Sequence, residues 1–437
     1  MWRSYIKGQA MDSVKERKSP ARAIVATTLG NGLEFFDLVL YAFFATYIAK
    51  AYFPATDPLV SMTMTFLIFG MGYLARPLGA LVIGHYADKK GRKPAMTLTF
   101  LLMGLSTLTI GITPSYESIG TAAPIIITLA RLMQGFSAGG ELGASTTLLV
   151  EYAKPHNRGF YGGWQVASQG AGNVFAAMTL VILVNCMPEA SVEAWGWRIP
   201  FLFGIVIVPV GLYIRFKLEE TATHTLPTAS ESVSKIPLLE VITTYYKETL
   251  AGILLTMGGT IPHMIIMFYI PNYAISILKL DTSYSMLIGA VAGLITLIGG
   301  PLAGMWSDKV GRVRLIAWAR IAIVVLIYPA FYLLSTHPSV EMLFAVMIVL
   351  SIINIIGASP SITILPEIFP RRVRTTGLSL VYSVAVGIFG GFSLSAASYL
   401  IKLTGNTTAP AFYVIAGCVL SLFAFLYIKE TSQTPLN

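Results

Sequence analysis

Six ionisable residues stand inside long apolar stretches of this sequence, where an unpaired charge would cost at least about 3 kcal/mol in a membrane. They are Glu34, Asp37, Arg76, Arg131, Glu141 and Arg320. Carboxylates take up and release protons, whereas arginine keeps its proton and binds carboxylates through two parallel hydrogen bonds. The set therefore predicts proton uptake and anion binding inside a membrane.

The five of these residues that lie in the N-terminal half are unbalanced, because three carboxylates face two guanidiniums. One carboxylate is therefore expected to be protonated part of the time. Depth along the apolar stretches places Asp37 and Arg131 nearest the midplane, and we predict that they pair. We assign the coupling proton to Asp37, with Glu34, one helical turn away, as the alternative. Arg76 and Glu141 complete the charge network, and a static network of all five remains open.

Arg131 has a second predicted role, since its planar guanidinium suits a carboxylate substrate that would compete with Asp37. Gln165, Gln169 and Asn173 follow at i, i+4 and i+8, so they share one helical face. We predict that this polar stripe lines a substrate cavity. The alternative is that it bonds a neighbouring helix.

Other polar residues in the apolar stretches are weaker candidates for substrate contact. They are Tyr41, Asn354, Tyr382 and Ser383. We interpret the lone His263 as structural. Arg320 lies about six residues from the end of its stretch, and we expect it to snorkel to water.

The elements that position these residues follow from composition, because 55% of the 437 residues are hydrophobic and only 12% are charged. Soluble proteins carry about twice that charged share. Apolar runs of about 20 residues recur along the chain, too long and unalternating for barrel strands, so they are membrane-spanning helices. We predict twelve spans, at residues 23–49, 59–85, 94–113, 121–150, 159–185, 199–214, 249–277, 284–305, 315–334, 341–365, 375–401 and 409–428.

The net charge of +9 reports membrane topology here, and we expect no nucleic-acid partner. Lys and Arg number 23 in the loops of one side and 4 in those of the other. The positive-inside rule then places both termini in the cytoplasm of a multi-pass protein.

The chain repeats itself, which indicates two halves of common ancestry. The segment GHYADKKGR after the second span matches GMWSDKVGR after the eighth, with each shared residue displaced by 220 positions. The predicted segments are a basic tail (1–22), an N-terminal half (23–214), a cytoplasmic linker (215–248), a C-terminal half (249–428) and a short tail (429–437). Such a repeat indicates a secondary transporter with its site between the halves.

The repeated loops also predict a gate on the cytoplasmic side. Its candidate residues are Asp88, Arg92 and Arg158, with the counterparts Asp308, Arg312 and Arg374. We expect Asp88 to pair with Arg158 or to cap a neighbouring helix, and Asp308 with Arg374 to mirror this. The alternative is a basic loop that only sets topology.

These loops, together with RLMQG in the fourth span, resemble the signature of the major facilitator superfamily. Within it, GNGLEFFD, ARPLGA, WGWRIPF and LEET resemble the metabolite:proton symporter family. The segments YAFFATYIAKAYFP, YESIG and PEIFPRRVRTTG look most like its citrate and tricarballylate branch. The resemblance implies an all-α fold of twelve transmembrane helices in two six-helix halves.

The resemblance also implies a function: proton-coupled import of a small organic anion, most of all a di- or tricarboxylate such as citrate, by alternating access. A bacterial inner membrane and a working monomer are expected. The alternatives are a symporter of a zwitterionic or neutral metabolite (betaine, proline, shikimate) and a transporter-like membrane sensor. We expect no enzyme and no cofactor beyond the coupling proton, because the sequence has neither a metal or nucleophile constellation nor a nucleotide-binding loop.

Overall fold

The computed structural model describes residues 20–90, 92–204, 208–209, 237–432 and 434. Within these ranges, the side chains at 20–27, 84, 87–88, 92–93, 96, 140–144, 148, 152 and 237 are outside the description. Residues 1–19 of the predicted tail, residues 205–207 and 210–214 of predicted span six, and residues 215–236 of the predicted linker lie outside the described residues. The rest of the linker contains the short helix Pro237–Thr243.

The N-terminal half is a bundle of helices joined by short loops. Its helices are Pro20–Phe43 and Ala45–Tyr52 (span one), Pro58–Leu74 and Arg76–Lys90 (span two), Arg92–Ile112 (span three), Ala122–Ser137 and Glu141–Tyr152 (span four) and Arg158–Cys186 (span five). Short helices Tyr116–Ile119 and Glu189–Ala194 lie in the loops, and residues 199–204 and 208–209 of span six are helical.

The C-terminal half repeats this arrangement. Its helices are Tyr246–Met264 and Ile270–Ser276 (span seven), Thr282–Val310 (span eight), Arg312–Thr336 (span nine), Val340–Ile368 (span ten), Arg374–Val384 and Ser393–Thr404 (span eleven) and Ala409–Leu422 (span twelve). The described residues include no β-strand.

The helices have the length and polarity of membrane spans, as predicted. Eight described helices are long and apolar enough to cross a bilayer, or nine when the bent pair of span one is counted as one. Spans three and four supply the shorter apolar helices Thr97–Ile112 and Ala122–Ser137. Large apolar side chains such as Leu78, Leu129 and Val325 lie exposed on the outside of the bundle, where lipid would cover them.

Spans one, seven and eleven depart from a straight α-helix. Span one bends by 59° between Thr28–Phe43 and Ala45–Tyr52. Span seven widens into a π-helix over Ile265–Tyr269, directly after Pro262, and span eleven does so over Ala385–Gly390. Wide turns of this kind re-aim side chains and are frequent at functional sites.

Small residues let the two halves approach closely. Along spans five and eight, Gly163 meets Gly300, and a Cβ added at Gly300 would lie 2.7 Å from the carbonyl oxygen of Gly163. Spans two and eleven meet in the same way at Gly70 and Gly391. Side chains at these positions would push the halves apart, so glycine is needed for the observed contact.

Candidate functional site

A cavity lies between the two halves. It is bounded by spans one, two and five on one side and spans seven, ten and eleven on the other. Its polar and charged lining residues are Tyr73, Arg76, Gln169, Thr256, Thr260, His263, Ser361 and Tyr382. The cavity therefore lies where the repeat predicted a substrate site.

Arg76 is the cation of this cavity. Its guanidinium carbon lies 4.2 Å from the centre of the Tyr73 ring, and its Nε has no hydrogen-bond partner among the described residues. No carboxylate among the described side chains lies within 4.0 Å of it. From the sequence we expected Arg76 only as a member of the charge network. It lies instead at the cavity, where an anion could reach it.

Several other polar atoms at the cavity also lack a partner within the described protein. They are the Tyr73 hydroxyl, Gln169 Nε2, Thr256 Oγ1 and His263 Nε2. Buried polar groups are almost always hydrogen-bonded, so a cluster of unpartnered ones calls for an explanation. A bound polar ligand would supply the missing partners.

The polar stripe of span five is divided by the structure. Gln169 lines the cavity, next to Tyr382 of span eleven. Contrary to our prediction, Gln165 and Asn173 do not line it. Gln165 accepts a hydrogen bond from Ser145 at 3.4 Å, and Asn173 is fully buried between helices. The i, i+4, i+8 spacing defines a face, but a long helix contacts different neighbours along that face.

The predicted substrate-contact residues of the C-terminal half differ in whether they line the cavity. Tyr382 lines the cavity, whereas Ser383, the next residue along the helix, is buried and does not. Asn354 does not line the cavity, and its Nδ2 lies 3.5 Å from Nδ1 of the cavity residue His263. His263 itself, which we interpreted as structural, lies at the cavity wall.

Arg131 lies away from the cavity and is completely buried in the N-terminal half. Its guanidinium lies between the rings of Tyr41 and Phe69, 4.7 and 4.9 Å from their centres. It donates to the carbonyl oxygens of Leu38 and Phe69, at 3.2 and 3.4 Å, and to the side chain of Gln134. Backbone carbonyls and ring faces therefore surround this cation.

The predicted ion pair between Asp37 and Arg131 is not formed, and this prediction was wrong. Asp37 Oδ2 instead accepts a hydrogen bond from Thr107 of span three at 2.8 Å, and Oδ1 has no partner among the described residues. Gln134 Nε2 connects the two sites, because it donates to Thr107 Oγ1 at 3.2 Å and to the Asp37 carbonyl at 3.1 Å.

Gln134 and Thr107 thus form a polar chain from Arg131 to Asp37 that sequence reasoning missed. Gln134 could have been found, since it follows Arg131 by one helical turn within RLMQG. Thr107 gave no such signal, because threonine is common inside membrane helices. Glu34, the alternative proton carrier, lies in a small recess beside Thr99, Met103 and Ser137, away from the central cavity. The side chain of Glu141 lies outside the described residues.

A cluster of charged residues joins the halves at the end of the bundle where span eight ends and span nine begins; we call this the basic end. Asp308 accepts hydrogen bonds there from the backbone N–H groups of Gly159, at 2.8 Å, and Phe160, at 3.2 Å. A carboxylate at the start of span five is favourable because the helix dipole is positive there. Asp308 therefore caps a helix of the other half, one of the two roles we foresaw.

Ion pairs at the basic end join the two halves at repeat-related positions: in the sequence, Glu151 and Arg158 recur as Glu367 and Arg374, each displaced by 216 positions. Arg374 pairs with Glu151 at 2.8 Å, and Arg158 lies 3.7 Å from Glu367. Each arginine thus faces the glutamate of the opposite half. The predicted pairing of Asp308 with Arg374 was wrong, because Asp308 pairs with Arg312 at 3.3 Å.

Arg312 completes this cluster by holding Glu367 through two hydrogen bonds of 2.6 and 2.8 Å. Glu367 is therefore shared by an arginine of each half. The side chains of the other two gate candidates, Asp88 and Arg92, lie outside the described residues, so their predicted roles stay predictions.

The C-terminal tail is bound to the same cluster, which sequence analysis did not foresee. Glu430 accepts hydrogen bonds from the backbone N–H groups of Arg312 and Val313, at 2.9 and 3.0 Å, and so caps span nine. Thr431 donates to Glu367 at 2.6 Å, and Arg158 donates to the Thr434 carbonyl at 2.8 Å. Burial opposes ionisation of Glu430, but the backbone hydrogen bonds outweigh it and lower its pKa.

Contacts between the halves also cross the opposite end of the bundle. Asn272 donates to the Ala42 carbonyl at 3.0 Å and accepts from Thr46 at 3.2 Å. Asn185 donates to Ser283 at 2.7 Å. Contacts between the halves therefore lie at both ends of the bundle. Among the described residues, no group of three or more His, Cys, Asp or Glu side chains could hold a metal ion.

Comparisons with known proteins agree with this architecture. A sequence profile described as Major Facilitator Superfamily matches residues 27–381 and 264–437. A citrate-proton symporter of Klebsiella pneumoniae is 36% identical over 415 residues, covering 95% of this chain and 93% of that protein. A proline/betaine transporter of Escherichia coli (strain K12) is 32% identical, covering 95% and 85%. A partially occluded inward-open structure of the E. coli xylose transporter has a TM-score of 0.74 at 15% identity, covering 95% and 99%.

Proposed function

Because this chain belongs to the major facilitator superfamily, we propose that it is a proton-coupled symporter that imports a di- or tricarboxylate such as citrate by alternating access. The observation that carries this proposal is the guanidinium of Arg76, which lines the cavity between the halves without a carboxylate among the described residues beside it. A planar guanidinium binds a carboxylate through two parallel hydrogen bonds. The similarity to a citrate-proton symporter supports the same substrate class.

The other lining groups suit the rest of such a substrate. Gln169 Nε2 and the Tyr73 hydroxyl have no partner among the described residues, and both can donate to carboxylate oxygens. Thr256 and Tyr382 add hydroxyl groups from the C-terminal half. A substrate that bonds to both halves would favour their closed arrangement.

In this proposal the coupling proton is held by Asp37, which does not line the substrate cavity. Its carboxyl group is buried, with one oxygen bonded to Thr107 and the other without a partner among the described residues. A change in the protonation of Asp37 would act on Arg131 through the hydrogen bonds of Thr107 and Gln134. Glu34 remains the alternative carrier.

Alternating access then requires the two ends to open in turn. We assign the basic end to the cytoplasm, with both chain termini on that side of a bacterial inner membrane. Opening it would break the ion pairs Arg374–Glu151 and Arg158–Glu367. One copy of the chain contains both walls of the cavity, so we propose that it works as a monomer.

A zwitterion such as betaine is the second candidate, because a proline/betaine transporter is also similar to this chain. Quaternary ammonium groups are usually held over aromatic ring faces. Arg76 already covers the face of Tyr73 in the cavity. This arrangement favours an anion.

Uptake into proteoliposomes tests the proposal. An inside-alkaline pH gradient should drive accumulation of radiolabelled citrate, and a protonophore should abolish it. Unlabelled tricarballylate should compete, whereas betaine, proline and shikimate should not. Citrate accumulation that needs no proton gradient would overturn the coupling, and competition by betaine but not tricarballylate would overturn the substrate class.

A further inference from the structure

Arg320 of span nine is buried completely inside the C-terminal half, although we expected it to reach water. Glycines of spans seven and ten clear the space that its guanidinium occupies. A Cβ added at Gly259 would lie 2.8 Å from Nη2, and Cβ atoms at Gly258 and Gly357 would lie 3.3 Å from Nε and Nη1. The surrounding helices are thus shaped around this guanidinium.

The guanidinium of Arg320 has almost no partner for its charge. Its single hydrogen bond runs from Nη2 to Ser361 Oγ at 3.3 Å, and Nε and Nη1 have none within the described protein. No carboxylate among the described side chains lies within 4.0 Å. An uncompensated buried charge is costly, so residues of this kind in membrane helices mark functional sites.

The same guanidinium lies directly behind the cavity wall. Gly259 and Ser361 both line the cavity, and both contact Arg320. One glycine backbone and one hydroxyl group therefore separate the charge from the cavity. Arg76 stands in the N-terminal half of the same cavity, so each half contributes one arginine without a carboxylate partner among the described residues.

We propose that Arg320, acting with Ser361, is the second anion-binding group of the cavity and selects substrates with at least two carboxylates. Arg76 binds one carboxylate of such a substrate, and Arg320 balances another from the opposite half. The inference rests on the proposed function and names the feature of the substrate that the site recognises. A substrate with one carboxylate would leave one buried guanidinium without a counter-charge.

Binding of carboxylates that differ in charge tests this role. We would measure the dissociation constants of tricarballylate, glutarate and butyrate for purified protein, using wild type, Arg320→Gln and Arg320→Lys. Arg314→Gln is the matched control, because it removes the same charge from an exposed position on the same helix. Thermal unfolding of each variant reports its folding.

Arg320→Gln should weaken tricarballylate and glutarate binding about ten- to a hundredfold and butyrate binding less than about twofold. Arg320→Lys keeps the buried charge and guards against a folding failure; it should weaken tricarballylate about tenfold and leave butyrate unchanged. Arg314→Gln should change none of the three. An equal loss for all three acids, or no loss, in a folded Arg320 variant would overturn the role of Arg320 while leaving the proposed function intact. Wild-type protein that binds none of these carboxylates would overturn both.

Discussion

The guanidinium of Arg76 is the group on which substrate binding is expected to depend most directly. Arg76→Lys keeps the charge but loses the planar fork, and we expect citrate affinity to fall about ten- to a hundredfold. Arg131→Lys is the matched comparison, because Arg131 is also buried but does not line the cavity.

Arg131→Lys should mainly lower thermal stability, since it loses the contacts to Leu38, Phe69 and Tyr41. Isothermal titration and thermal unfolding of the two variants separate binding from folding. A well-folded Arg131→Lys protein with weakened citrate binding, beside an Arg76→Lys protein with normal binding, would return the substrate site to Arg131.

Asp37 is the residue at which proton coupling is tested. Asp37→Asn removes the titrating acid while the amide imitates its neutral form, so accumulation against a gradient should be lost and exchange at equal pH should survive. Thr107→Val is the control, because it removes only the hydrogen bond to Oδ2 and keeps the acid. Flux assays in proteoliposomes with and without a pH gradient distinguish these results. If Asp37→Asn still accumulates citrate and Glu34→Gln does not, the proton belongs to Glu34.

At the scale of elements, the glutamates at the ends of spans four and ten are repeat-related but differ in burial. Glu367 is 2% exposed and faces Arg312 and Arg158, whereas Glu151 is 31% exposed and faces Arg374. Glu367→Gln leaves the buried guanidinium of Arg158 without its carboxylate and that of Arg312 with Asp308 alone, and it should destabilise the protein by about 3 to 5 kcal/mol. Glu151→Gln should cost about 1 kcal/mol or less.

Chemical unfolding in detergent compares these two variants. Because the ion pairs join the halves only when the basic end is closed, Glu367→Gln should also raise the accessibility of the cavity from that end. Equal destabilisation by the two substitutions would show that burial does not decide the strength of these pairs.

The tail is an element whose attachment depends on one carboxylate. Glu430→Gln weakens the cap on span nine and should lower stability by about 1 kcal/mol at neutral pH. The pKa of Glu430 is lowered from 4.5, so its contribution is fully present above that pH and is lost as the pH falls through the lowered pKa. The stability difference between wild type and Glu430→Gln should therefore be constant from pH 5 to 8 and shrink in acid. A difference that grows in acid would contradict this assignment.

At the scale of the whole molecule, the helices and their division into two halves could be predicted from the sequence. The rotation of each helix about its axis could not be predicted, because packing against the neighbouring helices decides it. Arg76 and Arg131 illustrate this limit, because depth alone favoured Arg131 whereas rotation brings Arg76 to the cavity. Arg320 was expected to snorkel to water. It is buried instead, because Gly258, Gly259 and Gly357 leave room for its guanidinium inside the bundle.

The gate was predictable in part. The repeat relates Glu151 and Arg158 of one half to Glu367 and Arg374 of the other. From the sequence, however, we paired each aspartate with an arginine of its own half. An approximate two-fold relation between halves instead brings each arginine against the other half's glutamate. The tail contacts had no signal in the repeat, because they depend on where Glu430 meets the start of span nine.

The close contact of spans five and eight predicts how the halves could be held apart. A Cβ added at Gly159 would overlap the carbonyl group of Gly304 at the basic end, so Gly159→Leu should wedge that end open. Gly252→Leu is the control, since a side chain there meets Val381 within the C-terminal half, with a Cβ 3.0 Å from its Cγ1. It should lower stability without changing which end is open.

The readout is labelling of a cysteine placed at Thr256 in the cavity, after Cys186 and Cys418 are replaced by serine. Gly159→Leu should raise the rate of reaction with a membrane-impermeant maleimide in inside-out vesicles and lower it in right-side-out vesicles. In protein that keeps Thr256, Gly159→Leu should stop transport, because the basic end can no longer close, while citrate binding persists because Gly159 does not line the cavity. Faster labelling in right-side-out vesicles would mean that the basic end faces outward, against the positive-inside assignment. Unchanged labelling in both would mean that the contact between spans five and eight does not close the cavity.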